Sequence, residues 1–173
     1  MLSRAEETAI DADTALEQLY AAHYTGLVRM AVLLLRDQGL AEDVVQDCYI
    51  AMHGRWHRID PAKAPAYLRQ SVVNRSRSAL RHRSVVARHN PEPLPDGAPA
   101  DESVLRTERR STVLDALSEL PTRQREVLVL RYYLDLSEAD IATTLGISRG
   151  AVKSHASRGA AALRTRLSTE EDR

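Results

Sequence analysis

The chain has little cysteine and no long apolar run, and each absence excludes a class of protein. Among its 173 residues only Cys48 is a cysteine, which excludes an internal disulfide and a cysteine-rich zinc site. No apolar run reaches the roughly 18 residues of a membrane-spanning helix. The acidic N-terminal stretch also lacks the apolar segment of a secretory signal. We therefore expect a cytoplasmic protein with no membrane insertion.

Groups that could carry catalysis are also few. Of the six histidines, His53 and His57 alone are four residues apart, and no third ligand completes a metal site with them. The apolar pattern around Cys48 places this residue on the inward face of a helix, where packing is its expected role. We expect no enzyme activity, no metal and no cofactor.

The formal net charge of zero conceals two basic segments. Residues Pro61–Asn90 contain seven lysines and arginines and no acid, and Ile141–Thr169 contain five and no acid. One such segment is usually a solvated helix face. Two acid-free stretches of about 30 residues instead indicate two contacts with a polyanion such as a nucleic acid.

Apolar residues recur at three- and four-residue steps in both halves, without the alternation of strands, which predicts an all-α protein. A first helix is expected to break at Asp37–Gly39, and a second is expected over Ala41–Met52, with Val44, Val45, Cys48 and Met52 facing inward. An irregular loop is expected over His53–Ala64, a third helix from Pro65 to about Arg83, and a further helix over Arg123–Tyr133.

Asn90–Pro99 contains four prolines and one glycine and is expected to form a flexible, extended linker. We therefore predict two small helical domains, at residues 10–85 and 108–167, joined by a Pro-rich linker at residues 86–107.

A helix-turn-helix is predicted over Leu136–His155. Ser137 is placed to cap one helix, Gly146 to turn the chain, and Ser148 to cap the next helix. Apolar or small residues of the second helix are expected to face inward, namely Val152, Ala156, Gly159 and Leu163. Donors and cations are expected to face a DNA groove, namely Arg149, Lys153, Ser154, Ser157 and Arg158.

Three further segments resemble the sigma-70-type sigma factors of RNA polymerase. Their core-binding helix is similar to Ala41-Glu-Asp-Val-Val-Gln-Asp-Cys-Tyr49. Their promoter-melting helix is similar to Ala66-Tyr-Leu-Arg-Gln-Ser-Val-Val-Asn-Arg-Ser-Arg-Ser-Ala-Leu-Arg81. Their −35-binding domain is similar to Leu120-Pro-Thr-Arg-Gln-Arg-Glu-Val-Leu-Val-Leu-Arg-Tyr-Tyr133 and the helix-turn-helix. The size indicates the extracytoplasmic-function group, and Val152–Arg158 resembles its actinobacterial sigma-E-like subset.

The resemblance implies a protein that directs promoter recognition, promoter opening and transcription initiation. The implied contacts with core RNA polymerase, through its β and β′ subunits, are Glu42, Asp43, Gln46 and Asp47. The implied −10 contacts are Trp56, Arg69, Asn74, Arg75, Arg77 and Arg81, and the −35 contacts are the five outward residues of the helix-turn-helix. Trp56 has an alternative role as a packing anchor. Promoter DNA and an anti-sigma factor are the other implied partners, and the acidic segment Pro91–Glu108 is either an RNA mimic or a plain tether.

Two other binding functions remain open at this point. A response-regulator-like activator also carries Val-Lys-x-His in its helix-turn-helix, but it needs an α/β receiver domain, and residues 1–90 show no strand pattern. A general RNA-binding helical protein would account for the basic segments but not for the acidic face of Glu42–Asp47.

Overall fold

The computed structural model describes residues 4–89 and 104–171, with side chains over 12–87 and 111–168. Every regular element in these ranges is helical, which confirms the all-α prediction. The helices are α1 (Arg4–Leu35), α2 (Gln38–His53), α3 (Ala64–His89), α4 (Val104–Ser118), α5 (Thr122–Leu128), α6 (Glu138–Leu145) and α7 (Arg149–Glu171). Within the described ranges, none of them is long and apolar enough to cross a membrane.

The first half is a bundle of α1, α2 and α3, which pack pairwise. The inward residues predicted for α2 are buried, with Cys48 and Met52 fully enclosed. The break between α1 and α2 was expected at Asp37–Gly39, but the left-handed residue is Arg36, at φ 56°. Asp37 is already the N-cap of α2 and accepts a hydrogen bond from the Leu40 amide at 2.9 Å. Gly39 therefore lies inside α2 and does not make the turn.

The segment between α2 and α3 was predicted as an irregular loop but contains two short 3-10 turns, Trp56–Arg58 and Pro61–Lys63. Trp56 is only 8% exposed and belongs to the apolar core. Helix α3 continues to His89, beyond the expected end near Arg83, because no helix-breaking residue occurs before Pro91.

In the second half, a single helix was predicted over Arg123–Tyr133. The structure instead has α5 followed by a π-helical turn, Val129–Tyr133, in which the Leu134 amide donates to the Val129 carbonyl at 3.4 Å. This wider turn ends α5 and redirects the chain towards α6. The π-helical turn buries Val129 and Leu130 and exposes Tyr132 and Tyr133.

The two halves pack against each other. Helix α1 contacts α4 and the π-helical turn, and α3 contacts α6. One apolar cluster includes Met30 and Leu68 from the first half and Leu130 and Ile141 from the second. The Pro-rich stretch Asn90–Pro99, and most of the acidic stretch Pro91–Glu108, lie outside the described residues.

Candidate nucleic-acid interface

The helix-turn-helix is formed by α6 and α7 through three local contacts. The Ser137 hydroxyl accepts a hydrogen bond from the Asp140 amide at 3.1 Å and so caps α6. Gly146 ends α6 in the left-handed region, at φ 65°, where a residue without Cβ has no steric penalty. Ser148 caps α7 by accepting from the Ala151 amide at 3.1 Å. All three predicted roles are confirmed.

The inward face of α7 brings this helix close to α5. Val152 and Ala156 are buried, and Gly159 sits against the side chains of α5. A Cβ at Gly159 would lie 3.1 Å from Leu128 Cδ1 and 3.2 Å from Gln124 Cβ, closer than ordinary carbon contacts. The small residue therefore sets the depth at which α7 lies on its support.

The outward face of α7 is open to solvent. Arg149, Lys153, Ser154, Ser157 and Arg158 are all exposed, as predicted. Lys153 Nζ lies 3.8 Å from a carboxylate oxygen of Glu138 on α6, and Arg158 Nε donates to the Ser154 carbonyl at 3.3 Å. These exposed contacts leave the face able to meet phosphates and base edges. His155 is half-buried at the flank, where its Nδ1 has no hydrogen-bond partner.

The residues Gly146-Ile-Ser-Arg-Gly150 have the spacing of the nucleophile elbow of α/β-hydrolases. That motif requires a strand before the serine. Ser148 instead follows α6, and its hydroxyl is engaged as a helix cap. The spacing therefore carries no hydrolase site here.

On α3, part of the predicted −10 set forms one stripe. Asn74, Arg77 and Arg81 follow each other at steps of three and four residues and so share a face of the helix. Arg77 Nη1 donates to Asn74 Oδ1 at 3.4 Å, and Arg81 donates to the Ser78 hydroxyl at 3.0 Å. Asn74 and Arg81 are exposed, whereas Arg77 is half-buried.

The structure separates the other three predicted −10 residues from this stripe. Arg75 faces α2, where its Nη1 lies 3.2 Å from Asp47 Oδ2. Arg69 faces inward and lines a cavity with Leu134 and Leu136 of the second half, and its Nε is buried without a partner. Trp56 is buried in the core, so its ring cannot stack on an extruded base in this conformation. The packing alternative is the one that the geometry favours.

A buried ion pair joins α3 to the second half. Arg77 Nε donates to Glu126 Oε1 at 2.8 Å, and Nη2 donates to Oε2 at 2.9 Å. The Glu126 side chain on α5 is 3% exposed, and Arg123 Nη1 also lies 3.1 Å from its Oε2. Two parallel hydrogen bonds between a guanidinium and a carboxylate are the strongest common form of such a pair.

The neighbouring Arg125 makes a second buried contact between the halves. Its guanidinium donates to the carbonyl of Leu34 at 2.7 Å, of Ser118 at 2.7 Å and of Leu120 at 3.2 Å. Leu34 lies in the last turn of α1, where carbonyls lack helical partners and attract a cation. Burial lowers the pKa of Arg125, and the Glu126 carboxylate opposes that shift.

The outward face of α2 carries the four predicted polymerase contacts. Asp43, Gln46 and Asp47 are exposed, and Glu42 is half-buried beside Gln38, from which it accepts a hydrogen bond. One further residue belongs to this face. Ile50 follows Gln46 by four residues and is 71% exposed.

Sequence reasoning missed Ile50 and Glu126, for different reasons. Ile50 could have been found, because a large apolar residue that continues a polar stripe at helical spacing is a detectable exception. Glu126 carries no such signal, because its partner Arg77 lies 49 residues away in the chain.

Comparisons with known proteins match both halves of the chain. The family model described as Sigma-70 region 2 matches residues 19–85, and the model described as Sigma-70, region 4 matches residues 110–163. The RNA polymerase sigma-E factor of Streptomyces avermitilis is 34% identical over 156 residues, which cover 90% of this chain and 86% of that protein. The ECF RNA polymerase sigma factor SigL of Mycobacterium tuberculosis is 33% identical over 172 residues, which cover 96% of each. Among solved structures, CnrH in complex with the cytosolic domain of CnrY superposes with a TM-score of 0.69 at 27% identity, over 93% of this chain and 97% of that one.

Proposed function

The chain belongs to the extracytoplasmic-function sigma factors of the sigma-70 family, and from that premise we propose how its surfaces divide the work of initiation. As a sigma factor, the protein directs promoter-specific transcription initiation by RNA polymerase. The observation that carries the residue assignment is the capped α6–α7 pair, with a recognition helix whose polar face is entirely exposed.

We assign the −35 element to α7. The N-terminal part of this helix offers Arg149, Lys153 and Ser154 on one exposed face, with Ser157 and Arg158 one turn further along. A major groove admits one helix, and cations and hydroxyls on that helix can donate to purine edges or phosphates. Because Gly159 brings the inward face so close to α5, the recognition helix is held on a rigid support.

We assign the −10 element to the stripe of α3. Asn74 supplies an amide that can pair with a base edge, and Arg77 and Arg81 supply guanidinium groups for phosphates. Arg75 lies beside the stripe, at the boundary with α2. Arg69 and Trp56 are given packing roles, because the structure turns both away from this surface.

We assign contact with core RNA polymerase to the outward face of α2, now including Ile50. Interfaces of this kind combine a few buried apolar anchors with a polar rim. Ile50 fits the anchor, since exposing a large aliphatic side chain to water has no benefit for the isolated protein. The acids around it fit a rim that meets a basic partner surface.

Charge reversal tests this docking surface. Asp43→Arg should lower the affinity for core polymerase by about 2 kcal/mol or more, because a like charge then faces the partner. Co-purification with tagged core polymerase measures the effect, and Glu17→Arg, the same charge reversal at an exposed acid on α1, is the matched control. If Asp43→Arg co-purified with core polymerase at the wild-type yield, the assignment of α2 as the docking surface would be wrong.

The relatives also suggest a regulator and a place of action. CnrH was solved in complex with the cytosolic domain of CnrY, and we propose that this chain likewise binds a protein partner, which for this chain would be an anti-sigma factor. We place its action in the cytoplasm, where core polymerase and promoter DNA meet. The protein contributes binding and positioning to initiation, without catalytic chemistry of its own.

Run-off transcription on fragmented genomic DNA of the source organism tests the function as a whole. With purified core polymerase and this protein, discrete 5′ ends should appear that share two short upstream elements. Those ends should be absent without the protein. Binding to DNA without binding to core polymerase would instead favour a transcriptional activator.

A further inference from the structure

Arg77 is the residue at which two surfaces of this protein meet. It belongs to the proposed −10 stripe of α3, yet its guanidinium is paired with Glu126 of α5 at 2.8 and 2.9 Å. We infer that Glu126 holds the free protein in a closed, autoinhibited form by occupying the arginine that α3 would offer to the −10 strand. This inference rests on the proposed role of α3.

The burial of Glu126 makes this pair strong enough to matter. A carboxylate that is 3% exposed has lost most of its hydration and requires charged or hydrogen-bonded partners. Arg123 supplies one partner from the same helix, and Arg77 supplies two hydrogen bonds from the other half. If the halves separated, Glu126 would exchange Arg77 for water, while Arg123 would remain beside it.

Two more contacts close the same junction. Arg125 donates to the Leu34 carbonyl at the end of α1, and Arg36, just beyond α1, pairs with Asp115 of α4. Both contacts join elements of the first half to elements of the second. These three polar contacts between described residues surround the shared apolar core and hold the closed arrangement.

The closed form affects the two proposed DNA surfaces differently. The five outward residues of α7 remain exposed, so the −35 surface is available. The guanidinium of Arg77 is not available to DNA, because its Nε and Nη2 donate to the Glu126 carboxylate in the place that a phosphate would otherwise take. Glu126 and a −10 phosphate thus compete for one side chain, and −10 binding requires the halves to separate.

The closing contact can be measured by fluorescence energy transfer in the full chain. Cysteines introduced at the exposed positions Gln18 on α1 and Ala161 on α7 carry the dyes. Cys48 can stay, because burial raises the pKa of its thiol to about 11 and so suppresses its labelling near neutral pH. Wild type should show one narrow, high-transfer population.

Glu126→Gln should raise the ratio of low-transfer to high-transfer molecules about tenfold or more, because one partner of a buried ion pair has lost its charge. Arg77→Gln should do the same from the other side of the contact. Glu119→Gln is the matched control, since it breaks an ion pair with Arg166 at 2.8 Å that lies within the second half, and it should leave the distribution unchanged. A wild-type distribution in either Glu126→Gln or Arg77→Gln would overturn the inference. A low-transfer state that appears only together with loss of the helical circular dichroism signal would also overturn it, because the protein would then have unfolded and not opened.

The competition itself is tested with the promoter obtained by run-off transcription. Glu126→Gln should bind the single-stranded −10 sequence about fivefold or more tightly than Glu119→Gln, with equal affinity for the −35 duplex. Opening without this gain would overturn the competition for Arg77. The proposed function is judged separately, by run-off transcription, so the two failures are distinguishable.

Discussion

Helix α3 and residues 149–169 of helix α7 are both basic and acid-free, but their polar residues have different surroundings. On α7 the five predicted contacts all lie on one open face, and the acid nearest to Lys153 is 3.8 Å away on the adjacent helix. On α3 the predicted contacts point in three directions, and Arg75 and Arg77 are each paired with an acid from another helix.

The difference follows from where each helix finds its support. Helix α7 packs on α5 and α6, which lie within a few tens of residues, so local spacing determines its faces. Helix α3 packs on α1, α2 and α6, and the acid that holds Arg77 is 49 residues away. A surface built from local neighbours can be derived from periodicity alone, whereas one shared with a distant element cannot.

Among the substitutions that test this difference between local and distant support, the largest change in the free energy of unfolding is expected at Arg125. Arg125→Ala leaves the three carbonyls of Leu34, Ser118 and Leu120 without their donor in a buried junction. At about 1–3 kcal/mol per orphaned group, with partial recovery by water, the free energy of unfolding should fall by at least about 3 kcal/mol. Arg164→Ala, at an exposed side chain of α7, is the control and should cost about 0.5 kcal/mol or less. Urea unfolding of both variants measures the difference. Equal midpoints would show that the buried contacts of Arg125 do not stabilise the protein.

A smaller loss is expected where α7 rests on α5. Gly159→Val places a branched side chain where even a Cβ would lie 3.1 Å from Leu128 Cδ1. The overpacking should lower the free energy of unfolding by about 1–3 kcal/mol. Gly150→Val, at an exposed glycine of the same helix where a Cβ would meet only Ser148 Oγ at 3.8 Å, controls for the change in helix propensity and should change the free energy of unfolding by about 0.5 kcal/mol or less. If the two variants had the same melting temperature, the close approach of α7 to α5 would not restrict the size of the residue at this position.

The losses of DNA-binding energy caused by substitutions on α7 should come next in size. Lys153→Ala and Arg158→Ala should each weaken binding of the −35 duplex by about 1–2 kcal/mol where the side chain contacts a base, and by less where it contacts only a phosphate. Arg164→Ala, also exposed but further from the N-terminus of α7, is the control. Fluorescence anisotropy at fixed salt measures all three, and a larger loss for Arg164→Ala would place the DNA at the wrong end of the helix.

The smallest effect is expected at the exposed pair between α2 and α3. Asp47→Asn removes a 3.2 Å contact with Arg75 in which both side chains are about half exposed. Such pairs contribute about 0–1 kcal/mol, so the unfolding midpoint should barely move. Recovery with core polymerase should nevertheless fall, because Asp47 belongs to the docking face. A large loss of stability would show that this exposed pair, like the buried one at Glu126, holds the fold together.

The elements that sequence predicted well are those whose causes are local. Ser137, Gly146 and Ser148 each act on an amide or a turn within three residues, and all three predicted roles are confirmed. The π-helical turn at Val129–Tyr133 was missed, because its residues have ordinary helical periodicity and the wider turn depends on packing. The chain reversal at Arg36 was predicted at Asp37–Gly39, because glycine is the usual left-handed residue and arginine is an exception that its surroundings must stabilise.

Each site residue could be predicted only where its surroundings are set by residues nearby in the chain. The exposure of the α7 residues and of Asp43 and Gln46 could be derived from helical spacing. The inward turn of Arg69 and the burial of Arg77 against Glu126 required knowledge of how the two halves pack. No periodicity within one helix contains that information.

The division of work between α3 and α7 is tested most directly by footprinting one promoter with reconstituted holoenzyme. Asn74→Ala should keep protection of the −35 element and lose the permanganate reactivity of melted thymines at −10. Lys153→Ala at limiting concentration should lose both signals together and regain both when its concentration is raised. Normal melting by Asn74→Ala, or loss of melting by Lys153→Ala at full −35 occupancy, would contradict the assignment of the two helices.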